Sequence, residues 1–137
     1  MENASKALIM AGSILIAILI ITLIIYMSTT TTRLAEAQDE KKIAEQTAAF
    51  NKEYESYDKS RMYGTDVISV VNKANDYNRR LDVTDQEYKI NIIIKDKTGR
   101  NMSISYESEF KTKIFKCESV GYSQITGRVN SMIFTQI

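Results

Sequence analysis

What this chain lacks narrows its chemistry before any motif is sought. It contains no histidine, the side chain that most often serves as a general base near neutral pH and as a neutral metal ligand. A single cysteine, Cys117, excludes any disulfide within the chain. On a strand its neighbours Lys116 and Glu118 point away from it, which leaves the thiol no adjacent base to activate it as a nucleophile. Five scattered glycines supply no phosphate-cradling loop, and the serines and threonines have no histidine partner. Eighteen basic and 17 acidic residues leave a net charge of +1 and are interleaved, so no basic block attracts nucleic acid. The expectation is therefore a protein that is not an enzyme, with no metal, no cofactor, no nucleic acid and no small-molecule substrate.

Proline is absent too, and no glycine lies between Gly12 and Gly64, so a helix meets no breaker over that stretch. From Ala7 to Met27 the sequence ALIMAGSILIAILIITLIIYM carries no charge, and 12 of its residues are Ile or Leu. At about 1.5 Å per residue this run covers the roughly 30 Å hydrocarbon core of a bilayer. Its Ile and Leu residues favour insertion by about 4 to 7 kcal/mol. The isoleucine excess favours a strand in water, but a lone strand in lipid leaves its backbone unpaired, so the expected state is a helix. Lys6 flanks one end; Tyr26, the polar run Ser28 to Thr32 and Arg33 flank the other. The core is too long for a cleaved secretory signal, and so small a chain has too little other apolar surface to wrap it as a buried helix. A short tail ahead of the span, with the whole domain behind it, suits an uncleaved signal anchor that places the domain outside the cytoplasm.

The remainder, residues 33–137, is long enough for one small domain. Its first part, LAEAQDEKKIAEQTAAFNKEYESY, is rich in helix formers, and Ile43, Thr47, Phe50, Tyr54 and Tyr57 recur on one face over 33–57. Either one long helix runs from the membrane segment into this stretch, or the threonine run Thr29 to Thr32 forms a hinge. Gly64, Thr65 and Asp66 then mark a second helix over 65–81, with Val67, Val70, Ala74, Tyr77 and Leu81 as its buried stripe. Between this helix and the first strand, Asp82, Asp85 and Glu87 lack the glycine-centred spacing of a calcium loop and read as a polar connection. From residue 88 the period changes to two: Tyr88, Ile90, Ile92 and Ile94 alternate, as do Met102, Ile104 and Tyr106 after a turn at Asp96 to Arg100. A second pair, KIFKCESVGY and RVNSMIFTQI, follows. Thr-Gly-Arg stands in both turns, at 98–100 and 126–128, where glycine suits a positive φ. The expected fold is α+β: a long N-terminal helix, a second short helix and a four-stranded antiparallel meander with its apolar side under the helices.

This order of elements resembles the type IV pilins and their secretion-system relatives, the pseudopilins. The resemblance covers the whole chain as architecture. The family's processing motif is absent, since Ala17 stands five residues after Gly12 where the family carries Glu. It implies a structural, cell-surface subunit that assembles with copies of itself, the apolar helix residing first in membrane lipid and then in a filament core. Small residues at Ala4, Ala7, Ala11, Gly12, Ser13 and Ala17 would let such helices approach closely. Glu2 could pair with a neighbouring chain's amino group or serve at the helix start. The alternative is a single-pass anchor tethering a binding module of the cell envelope.

Overall fold

The computed structural model describes all of Met1–Ile137 and divides into two compact units, Met1–Ile43 and Ala44–Ile137. A single helix, α1, runs Glu2–Glu55 without a break at the threonines. Their hydroxyls explain this: Thr29 and Thr30 donate to the Tyr26 carbonyl, Thr31 to Met27 and Thr32 to Ser28, at 2.8–3.0 Å. Each polar side chain is thus absorbed by the preceding turn, which the helix tolerates. In the apolar run Ser13 and Thr22 do the same, toward Met10 and Ile18.

In the second unit, α2 spans Gly64–Arg79 and buries Val67, Val70 and Ala74 of the expected stripe together with Ile68, whereas Tyr77 is only half-buried and Leu81, also half-buried, lies beyond the helix end. Gly64 opens it for a steric reason: a Cβ there would lie 1.9 Å from the Phe110 carbonyl oxygen. The α1 face is one-sided from Thr47 onward, with Tyr54 buried and Phe50 and Tyr57 packed against the core, whereas Ile43 is exposed.

The sheet departs from the expected meander. It has five strands: β1 (Met62–Tyr63), β2 (Asn91–Lys95), β3 (Asn101–Met102), β4 (Ile114–Tyr122) and β5 (Val129–Gln136), in the order β1-β4-β5-β2-β3. Both expected hairpins form, β2 with β3 and β4 with β5, each antiparallel. The sheet is nonetheless mixed, because β5 inserts between them and runs parallel to β2, pairing Asn91 through Lys95 with Ser131 through Thr135. The cause is burial. Val129, Met132 and Phe134 are at most 1% exposed, so β5 takes the centre, while two-residue β3 ends in serine-rich chain and stays at an edge. A short helix, α3 (Ser108–Thr112), leads the chain from edge strand β3 to β4, next to the opposite edge, and fills the core with Phe110. The acidic connection is a 3-10 segment, Val83–Tyr88, and Asp82 caps it without a side-chain hydrogen bond. Gly99 (φ +83°) and Gly127 (φ +70°) hold the two turns, as the repeated Thr-Gly-Arg requires.

Two asparagines tie the helices to the strands. Asn51 of α1 donates to the Gly127 carbonyl and accepts from the Val129 N–H, at 3.0 and 2.8 Å. Asn78 of α2 likewise donates to the Ile90 carbonyl and accepts from its N–H, at 2.7 and 2.9 Å. Each primary amide thereby stands in for a neighbouring strand, satisfying backbone groups at the start of β5 and just before β2.

Candidate functional site

Two surfaces stand out, one in each unit. In the first unit every residue from Met1 to Ile43 except Gly12 is exposed, including all 12 Ile and Leu residues of the uncharged run. This is the chain's one helix long and apolar enough to cross a membrane, and it is a candidate anchor. The chain provides no cover for it.

The small residues of this helix do not form one seam. At about 100° per residue, Ala4, Ala7 and Ala11 share a face, Ser13 and Ala17 lie roughly 130° around the axis one way, and Gly12 about 105° around it the other way. A side chain added at Gly12 would meet nothing within 4 Å. Glu2 sits in the first turn, where negative charge suits the helix dipole, with its carboxylate 3.3 Å from the Lys6 ammonium.

In the second unit, residues of α1 and α2, with Arg80 just past α2, line a cleft of about 270 Å³. Phe50, Tyr54 and Tyr77 form its aromatic floor, with ring centroids 5.2 Å apart for Phe50 and Tyr54 and 5.0 Å for Phe50 and Tyr77. Glu53, Lys73, Asp76 and Arg80 form its rim. Lys73 lies 3.2 Å from Glu53 and 5.7 Å above the Tyr54 ring. Asp76 pairs with Arg79 at 3.8 Å, whereas no carboxylate lies within 4 Å of Arg80. Burial, reinforced by the Glu53 charge, pushes the Tyr54 hydroxyl pKa up to about 12. The phenol therefore stays protonated and available as a donor across the physiological range.

Sequence periodicity alone assigns Phe50, Tyr54 and Tyr77 to core faces. The signal missed was that two apolar stripes facing each other across a helix pair carry their charged neighbours to one shared rim.

Other candidates behave differently. Burial, then the charge of Asp58, raises the Cys117 thiol to about 11, which keeps it protonated and a poor nucleophile at neutral pH. Asp82, Asp85 and Glu87 do not converge, and no three acidic or thiol side chains form a group able to hold a metal ion. A hydrogen bond to Glu55 at 2.6 Å raises Tyr122 to about 12, and Thr135, donating at 2.7 Å, lowers Glu118 below the usual carboxylate range. A second, polar cleft of about 360 Å³ lies among Asn91, Ser123, Asn130 and Ser131.

No protein-family model, curated protein or solved structure matches this chain. The long apolar N-terminal helix followed by a β-sheet is compatible with a pilin-like architecture.

Proposed function

We propose that the protein is a single-pass, pilin-like structural subunit whose N-terminal helix is held first by membrane lipid and then by copies of itself, displaying the α+β unit outside the cytoplasm. The observation that carries this reading is the bare apolar helix. Its uncharged run has no buried residue, so water is the wrong solvent for it, and lipid or other helices are the right one. At 54 residues α1 is also more than twice the roughly 20 needed to span a bilayer, more than a passive anchor requires. Without a hydrophobic driving force in lipid, helices associate by close packing, for which the Ala4, Ala7 and Ala11 face offers low relief.

Electron microscopy of material sheared from cells tests it: regular filaments are expected, and dispersed monomers in detergent would end the filament reading. Replacing Ala11 and Gly12 by Leu should abolish assembly while leaving membrane attachment intact. Labelling of an introduced surface cysteine by an impermeant maleimide on whole cells is expected if the unit is displayed outside. The second reading, a tethered binding module, is favoured by the cleft between α1 and α2; it expects monomers that withstand the Ala11 and Gly12 replacements.

A further inference from the structure

We infer that the cleft between α1 and α2 is a binding site for a small organic acid, one carboxylate carried on an aromatic or branched apolar body. Three features of the cleft define that chemistry. The first is charge. Glu53 and Asp76 each have a cation of their own, Lys73 and Arg79, so Arg80 is the rim's one cation without a carboxylate partner. A guanidinium takes a carboxylate through two parallel N–H donors, a geometry that no other group on this rim supplies.

The second feature is a hydroxyl with unspent hydrogen-bonding capacity. Tyr54 is only 2% exposed, yet its hydroxyl bonds to no other residue, and no fully buried polar side-chain atom in the chain lacks a partner. The Tyr54 oxygen therefore meets solvent where the ring lines the cleft. A ligand oxygen can accept from it at little reorganisation cost, because the packed ring already fixes its position.

The third is the floor. Phe50 and Tyr77 present apolar surface suited to a ring or a branched chain. The cleft is slightly smaller than the roughly 300–1,000 Å³ of sites for drug-sized molecules, which limits the ligand to about the size of one amino-acid side chain. Three aromatics beside two carboxylates also resemble a cage for a quaternary ammonium. Here, however, cations of the chain already hold two of the rings: Lys73 lies 5.7 Å from the Tyr54 centroid and Arg128 5.0 Å from that of Phe50. The unmet demand is for an anion.

Phenylacetate is a suitable probe, titrated by saturation-transfer NMR into full-length protein in detergent micelles. So small a ligand should bind with a dissociation constant on the order of 1 mM. Phenylacetamide, its neutral isostere, should bind at least about tenfold more weakly. Arg80→Gln, at an exposed position, should weaken phenylacetate at least about tenfold and leave phenylacetamide unchanged. Tyr54→Phe should weaken both, by about threefold or more, through loss of one hydrogen bond. Acetyl-Gly-Gly-Phe places the same ring and carboxylate at a peptide end. Tighter binding of this peptide than of phenylacetate would identify the acid's source as a protein terminus; weaker binding would identify it as a free metabolite. Equal affinity for phenylacetate and phenylacetamide, indifference to Arg80→Gln, or tighter binding of choline would each overturn the assignment. None of these outcomes depends on whether the chain polymerises.

Discussion

The two units of this chain use similar residues to opposite ends. Met1–Ile43 is the richer in Ile and Leu and buries none of them; Ala44–Ile137 is more polar and builds a closed core of Val67, Val70, Phe115, Met132 and Phe134, all fully buried. Apolar content therefore does not make a core; periodicity does. A run that is apolar on every side cannot be satisfied by one neighbouring layer, whereas a stripe recurring at three and four residues can. The second unit carries its own core, and the first has none.

The contrast breaks most visibly at Gly64. Its missing Cβ is replaced by the Phe110 backbone carbonyl, which has no freedom to withdraw, so Gly64→Ala should unfold the second unit, at a cost above about 4 kcal/mol. Near-UV circular dichroism of the full chain in micelles reads this directly. Truncation sharpens the comparison: Phe134→Ala should cost about 3–5 kcal/mol in denaturant unfolding, while Ile20→Ala should leave the midpoint of the second unit unchanged. Equal effects would show that the first unit is part of the same core. A charge at Ile16 reverses the sensitivity. Ile16→Arg should lower membrane partition by about 3 kcal/mol, seen as release on carbonate extraction, without altering unfolding of the second unit.

How much of this was legible follows from range in sequence. Both helices and their faces depend on residues three and four apart, and Val67, Val70 and Ala74 are buried as the spacing requires. The two hairpins depend on turns at Gly99 and Gly127 and form as read. Sheet order depends on which strand buries most, and nothing local places Asn91 beside Ser131 in parallel register. β1, β3 and α3 are two, two and five residues long, too short for a period to show. The cleft was hidden for the same reason as the order: Phe50 and Tyr77, or Glu53 and Lys73, become neighbours only when α1 and α2 pack.

Asn78 probes that non-local layer with a smaller effect. Asn78→Ala leaves the Ile90 N–H and carbonyl without partners at a part-buried site and should cost about 2 kcal/mol. Asn78→Asp retains the acceptor but loses the donor, and should fall between wild type and the alanine variant. Urea midpoints rank the three; a neutral alanine substitution would mean that water replaces the amide without loss.

Alkaline pH tests the core where it borders the cleft. Tyr54 ionises near 10 in the unfolded chain and near 12 in the folded one, so the folded state binds its proton more tightly. The resulting stability is fully present below about pH 10 and is lost as pH rises through about 12. Two pK units correspond to at most about 2.7 kcal/mol, reduced by whatever solvent screens at the cleft. The melting temperature should accordingly fall between pH 10 and 12, and Tyr54→Phe should make that fall shallower while leaving Tyr122 and Cys117 to supply the remaining slope. An unchanged slope in Tyr54→Phe would mean that the phenol is as well solvated folded as unfolded, and that the floor of the cleft is open to water.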